Sequence, residues 1–382
     1  MTKTEVILIS QFPLPYAKIG SWTTMYNYLL ANSNHGFDYI ICPEVKDRVP
    51  NVSYQFLRNV TLADKIKNKL LDSKSKYSNY LEALNKIIVK GNKYIIQIID
   101  NSGVVLPIDT FLKENYYRKD FYIQYYYHGF SPQFSKKRAQ LFLYAIDEFW
   151  FLTNLAYKAY LDYYVDCVFK ARVIHNGTDS NQFKRINSTQ KSQLREQNNI
   201  NKDAVVFLWC SQNRPKKGLQ MVLEAFQKVY VNNKNIQLLV VGITKELNQE
   251  GVTSIGRVPN KELHMFYQLS DVFVFPSLWK EGFGIVLAEA LKCGCYCIAS
   301  NQGGIPEVLN FGEYGVLVEN PNFVDEWVEK MEYAISILKT QGQNPFLEKT
   351  PENIYDIENW ANKIKLFIEE AKLSLNMSNN KE

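Results

Sequence analysis

The chain has 382 residues, 46% of them hydrophobic and 22% charged, with a formal net charge of +5. That length is two to three times a usual single domain of about 100 to 150 residues, and the composition excludes a disordered or collagen-like chain. The longest apolar runs, such as Val6 to Ile9, fall far short of the roughly 20 residues of a bilayer-spanning helix, and the stretch MTKTEVILISQFPLPY is too short in its apolar run for a signal peptide, so a cytoplasmic protein is expected.

In chain order, EVILIS, FDYIIC, YIIQII, FYIQYY, EFWFL and RVIH read as short strands rich in branched and aromatic residues, separated by stretches of helical periodicity. Such alternation implies a parallel sheet covered on both faces. The Asn-Gly pair of VIHNGTDSNQF marks a turn, and a polar, low-structure hinge region is expected from there to about Asn201. Alternation then restarts with AVVFLWC, a helix from about Gly218 to Tyr230, IQLLVVG, VTSIGRV, a helix near Lys261 to Leu269, DVFVFP, a helix after Phe283, CYCIAS and YGVLVE. The expected domains are 1–178 and 179–353, both Rossmann-like, with a helix over 354–373 crossing back to the first domain and a polar tail over 374–382. Ligands of open parallel sheets sit at the carboxyl ends of the strands, which places the site in the cleft between the domains.

Charge is uneven: residues 1–178 hold 22 Lys and Arg against 15 Asp and Glu, and the remainder 22 against 24. The excess gathers in ADKIKNKLLDSKSK and at Lys136, Lys137 and Arg138, which are either solvated helix faces or an attraction for an anionic membrane or acceptor. Of six cysteines, Cys293, Cys295 and Cys297 cluster in CGCYCIAS, where alternate spacing on one strand face suits buried reduced thiols better than tetrahedral zinc. No metal site is expected.

The most informative segment is DVFVFPSLWKEGFGIVLAEALKCG. A strand ends at Pro276 and Ser277, and Gly282 and Gly284 flank Phe283 before a helix whose first N–H groups suit a phosphate or sugar oxygen. Glu281 lies in the loop and Glu289, with seven residues between them, about two turns into the helix; a carboxylate there suits a vicinal diol.

This segment resembles the retaining glycosyltransferases of family 4, whose signature is a Glu, seven residues, Glu motif in a GT-B fold. VIHNGTDSNQFK resembles the family's interdomain segment, SQNRPKKGLQMVLEAF its phosphate-binding strand, loop and helix, GRVPNKELHMFYQLSDVFVFPS the stretch around the base, and NQGGIPEVL follows at the expected distance. Together they cover most of residues 171–320; the first half matches more weakly. The resemblance implies that Glu281 binds donor-sugar hydroxyls, Glu289 the ribose, and the amides of Phe283, Gly284 and Ile285 the sugar and diphosphate. It places Lys217 at the diphosphate, with Gly218 allowing the backbone close to the phosphates. The family's Arg five residues before that Lys is Gln212 here, and Arg214 is the candidate replacement. In YAKIGSW only Gly20 remains of the family's glycine pair, with Ser21 beside it, and His128 in YYYHGF falls at the family's His near the reacting sugar carbon. His175 and His264 read as structural.

The implied reaction is retaining transfer of a sugar from a UDP- or GDP-linked donor to a glycan or lipid-linked acceptor in bacterial cell-surface polysaccharide or lipopolysaccharide synthesis, with no cofactor and with peripheral contact to the inner face of the membrane. No Asp-any-Asp sequence occurs, so charge neutralisation is expected from Lys, Arg and helix amides without a metal. Two other readings are a nucleotide-sugar epimerase of the same fold, which lacks the paired glutamates, and a non-catalytic nucleotide-sugar-binding subunit, to which Gln212 and Ser21 point.

Overall fold

The computed structural model describes residues 3–16, 21–58, 76–164 and 166–377. Strands β1 (Thr4–Ile9), β2 (Tyr39–Cys42), β3 (Ser53–Phe56), β4 (Lys93–Ile99), β5 (Phe121–Tyr126), β6 (Glu148–Phe151) and β7 (Lys170–Val173) form one sheet in the order β3-β2-β1-β4-β5-β6-β7. A second sheet, β10-β9-β8-β11-β12-β13, contains β8 (Val205–Cys210), β9 (Ile236–Val241), β10 (Val252–Gly256), β11 (Val272–Phe275), β12 (Tyr296–Ser300) and β13 (Val316–Val318). Every strand pair is parallel. The expected pair of doubly wound α/β units is therefore present. Central strands such as β1 and β4 are apolar and buried because helices cover both faces of each sheet.

One apolar cluster joins the two halves: Val6 and Leu8 of β1, Trp360 and Ile364 of the last helix, and Phe283 and Leu287 beyond β11 belong to it. That last helix, Ile357–Met377, crosses back as expected and lies over the first sheet. Its anchor is a polar row written one residue per strand. Gln97, Gln124 and Glu148 are register neighbours on β4, β5 and β6. The Gln97 amide donates to Gln124 at 3.2 Å, and Arg172 of β7 donates to fully buried Glu148 at 2.7 Å while also bonding Glu370 of the helix. Tyr122 and the Trp150 indole complete the shell around Glu148, so the charge is both paired and hydrogen-bonded.

Four expectations need correction. Residues 188–197 are not low-structure: Ser188–Gln197 is a helix, started by a capping box in which the Asn187 side chain accepts from the Gln190 N–H and the Gln190 side chain returns the bond. The Asn176-Gly177 pair serves close packing instead of a tight turn, because a Cβ on Gly177 would lie 2.6 Å from Ile357 Cα. The last helix runs Ile357–Met377, so it starts later and ends later than read. Only Cys297 of the cysteine cluster lies within β12; Cys293 caps the helix Ile285–Lys292 and Cys295 precedes the strand, although all three are buried and free as expected. Edge strand β3 and the helix Val324–Gln341 complete the fold.

The chain passes between the domains twice. The Thr178 N–H donates to the Tyr355 carbonyl at 2.7 Å and the Ile357 N–H to the Thr178 carbonyl at 3.0 Å, which ties the two crossings together.

Candidate active site

The loops that follow β8 and β11 cross in direct backbone contact. Pro215–Lys217 forms a short 3-10 turn, closed by Gly218 in the left-handed region at φ +70°. A Cβ on Gly218 would sit 2.0 Å from the Pro276 carbonyl oxygen, so both the conformation and the space demand glycine. The Leu278 N–H donates to the Lys216 carbonyl at 2.8 Å, and the Trp209 indole to the Lys217 carbonyl at 3.2 Å. This crossing brings Lys217 Nζ onto Glu281 Oε1, an oxygen that also accepts from Ser277 Oγ at 2.7 Å. The Glu281 backbone is held in turn by Gly303 and Gly304: the Gly304 N–H donates to its carbonyl at 2.8 Å, and a Cβ on Gly303 would come within 2.5 Å of that oxygen.

Gly284, at φ +90°, caps the helix Ile285–Lys292 and faces the Phe275 ring. Ile285 opens that helix and Glu289 follows one turn in, a turn earlier than expected. Phe283 is 2% exposed; its ring packs against His175 and Tyr355, so only its backbone is available to a ligand. Glu289 accepts a hydrogen bond from the Tyr267 hydroxyl at 3.0 Å, and burial pushes its carboxyl up to about 8 despite that bond.

The first domain meets this loop directly. A Cβ on Gly282 would stand 2.7 Å from the His128 carbonyl, which makes it a contact point between domains. The His128 ring lies between Trp22 and Tyr126, centroids 5.8 and 4.2 Å away, and neither ring nitrogen has a hydrogen-bond partner among the described residues. Burial drives its pKa down to about 3, so the imidazole is neutral at ordinary pH and offers one donor and one acceptor. The His128 N–H donates to Asp100 Oδ1 at 3.2 Å. Asp100 sits at the end of β4, beside β1 where the strand order reverses, with φ +49° and a carboxyl raised by burial to about 6.

The structure thus brings together Lys217, Gly218, Glu281, Gly284, Ile285 and Glu289 at the strand ends of the second sheet, with His128 across the cleft. Arg214 precedes the 3-10 turn, is exposed, and makes no side-chain hydrogen bond or ion pair with a described residue, so it joins neither Lys217 nor Glu281. Gly20 lies outside the described residues, and of Ser21 only the backbone is placed, at the start of the helix Ser21–Ala31.

Sequence reading missed Ser277, Tyr267, Asp100 and the pair His175–Glu307. The signal for Ser277 was its position four residues before Glu281. His175 meets the other domain: its Nε2 lies 2.8 Å from Glu307 Oε1. Among the described residues no group of His, Cys, Asp and Glu is arranged to hold a metal ion, and no helix is long and apolar enough to cross a membrane.

Residues 190–344 match the family model described as glycosyl transferases group 1. Among curated proteins, the chain is similar to a lipopolysaccharide 1,2-N-acetylglucosaminetransferase of Salmonella typhimurium, with 27% identity over 219 residues covering 52% of this chain and 56% of that protein. The chain thus spans about half the length of the curated relatives it matches. Among solved structures it is similar to sucrose-phosphate synthase from Thermosynechococcus elongatus (TM-score 0.72, 19% identity, 97% of this chain and 100% of that one). It is likewise similar to Anabaena HepE in complex with UDP and glucose (TM-score 0.69, 14% identity, 96% and 99%). Residues 190–344 thus resemble the glycosyl transferases group 1 family, and the chain has the two-domain α/β fold of the GT-B glycosyltransferases.

Proposed function

We propose that this chain is a retaining, metal-independent glycosyltransferase of family 4 that moves a sugar from a UDP- or GDP-linked donor to a hydroxyl of a glycan or lipid-linked acceptor. The observation that carries the reading is the Lys217–Glu281 ion pair at the strand ends, one short loop from Glu289. Without donor, the Lys217 cation and the Glu281 carboxylate satisfy each other. With donor, Lys217 turns to the diphosphate, Glu281 takes the sugar hydroxyls and Glu289 the ribose diol.

The acceptor hydroxyl attacks the anomeric carbon on the face from which the diphosphate leaves. Its proton passes to a departing diphosphate oxygen, and no carboxylate nucleophile is needed. Lys217 and the first-turn amides after Gly284 meet the charge that builds on the leaving group. Neutral His128 orients the donor sugar by hydrogen bonding, without carrying a proton through the cycle. Closure of the cleft keeps water from the donor.

The Salmonella relative's lipopolysaccharide activity and the HepE complex with UDP support a UDP-linked donor and a cell-surface glycan acceptor. Peripheral membrane contact is supported by the helix Lys136–Ala145. Its three N-terminal cations oppose the helix dipole, and Leu141 and Tyr144 are 65% and 53% exposed. Flotation with anionic vesicles at low and high salt tests that contact, and salt-sensitive binding lost in Lys137→Glu is the expected result.

The reaction itself is tested by NMR of UDP-glucose, UDP-N-acetylglucosamine and GDP-mannose incubated with the chain in EDTA. Slow donor hydrolysis that releases the α-sugar first is expected. Release of the β-sugar would overturn retention, and no turnover with any donor or acceptor would favour the non-catalytic binding subunit.

A further inference from the structure

The segment NQGGIPEVL touches both domains at once. On one side Gly303 and Gly304 cradle the backbone of Glu281. On the other, Glu307 reaches into the first domain, where its carboxylate meets the start of the helix Asn154–Tyr163. Oε1 accepts from the Asn154 N–H at 3.0 Å and from Asn154 Nδ2 at 2.9 Å, and lies 2.8 Å from His175 Nε2; Oε2 accepts from the Leu155 N–H at 3.0 Å. A carboxylate at a helix start meets free N–H groups and the positive end of the helix dipole, so this contact is charge-assisted. Burial works against ionisation of Glu307, yet these bonds hold its carboxyl below the usual carboxylate range.

The same helix start is keyed to the glutamate loop. Thr153, its N-cap, donates from Oγ1 to the Gly282 carbonyl at 3.4 Å, and a Cβ on Gly304 would meet the Thr153 methyl at 3.0 Å. Around Glu307 the seam is open. A cavity of about 400 Å³ lies there, lined among others by Asn154, His175, Glu307 and Tyr355. Asn310, Phe311 and Tyr355, also on its wall, hold left-handed φ values of +44°, +54° and +51°. Specific bonds thus add orientation to the apolar packing that joins the two halves.

We infer that Glu307 is a positioning residue: its carboxylate, hydrogen-bonded to Asn154, Leu155 and His175, holds the two domains in the orientation that brings Gly282, next to Glu281, up to His128. Through Gly304 that grip also fixes the Glu281 loop. The inference uses the donor-site reading above only for the catalytic consequence, because domain orientation is measurable without substrate.

Two variants attack the contact from opposite domains. Glu307→Ala removes the acceptor. Asn154→Pro removes the Asn154 N–H and Nδ2 donors together; proline suits the first helical position, and the extended Thr153 at φ −145°, ψ 154° suits the residue before it. The full chain and both variants are compared by small-angle X-ray scattering with and without UDP or GDP, and by steady-state kinetics with an active donor. Both variants are expected to show a larger radius of gyration than wild type while keeping the nucleotide-induced rise in melting temperature. Their kcat should fall by up to roughly 100-fold, the effect of an ångström-scale misplacement, with donor KM near wild type. Wild-type scattering in folded Asn154→Pro would overturn the inference, as would a loss of activity confined to a rise in donor KM with kcat unchanged. If no nucleotide stabilises the wild type, the donor-site reading fails, while the scattering comparison still decides the role of Glu307.

Discussion

The two domains hold their cleft-facing groups by different means. In the second domain the loops after β8 and β11 are pinned by backbone: Gly218 against Pro276 and Gly303 against Glu281. The side chains they present, Lys217 and Glu281, meet one another, with Ser277 on Glu281 and the Phe275 ring beneath Lys217. In the first domain the cleft-facing groups are held by burial, with His128 between two aromatic rings and Asp100 carried at the end of a fully buried strand. A site fixed by backbone keeps its geometry while its side chains exchange partners, which suits a donor that arrives and leaves on every turnover. A site fixed by burial keeps its groups still.

That contrast separates the effects of mutation. The largest belongs to the first domain: Glu148→Ala leaves Arg172 with Glu370 as its one carboxylate and breaks the row beneath the last helix, at a cost of about 3 kcal/mol, the low end for a broken buried pair. Chemical denaturation should register that loss while nucleotide binding to the folded protein stays near wild type. Lys217→Ala should do the reverse, lowering kcat by roughly 10² to 10³ with little change in melting temperature. Gly218→Ala should blur the distinction, costing about 2 kcal/mol of stability and weakening nucleotide affinity together, because its Cβ forces the two crossing loops apart. A calorimetric titration of UDP or GDP beside a melting curve reads both effects.

The smallest effect is a pH dependence. The Glu289 carboxyl titrates near 8 in the folded chain against 4.5 in the reference state, so the folded state holds its proton across that window. Stability from this group is present below the lower value and is lost as pH rises through the window, on the order of 1 to 3 kcal/mol. Glu289→Gln should gain relative to wild type as pH climbs from 5 to 9. A constant difference would contradict the shifted carboxyl. His128 runs in the opposite sense, since a depressed imidazole loses stability only as pH falls below about 6.5, its unfolded value.

What could be read from sequence follows the same division. Strands β1, β4, β8 and β11 were legible as short, mostly apolar runs, and Gly218 announced close backbone approach beside Lys217. Edge strand β3, SYQF, was not legible because it is half-buried and carries Ser53 and Gln55. The helix Ser188–Gln197 has no apolar stripe and buries only Arg195, though the Asn187 and Gln190 capping pair was there to be seen. Glu307 and His175 lie 132 residues apart and meet only when the domains do, so no local pattern announces them. Arg214 shows the limit of reading by analogy: a guanidinium two residues from the expected position follows the chain outward to solvent.

The most direct test of the donor site is thermal stabilisation by UDP, GDP and ADP, and by their sugars, in EDTA, on wild type and Glu289→Ala. A ligand that binds only the folded state raises the melting temperature. The account predicts a rise selective for one nucleoside diphosphate, undiminished by EDTA and weakened in the variant. A rise of equal size in Glu289→Ala, or none with any nucleotide, would contradict it.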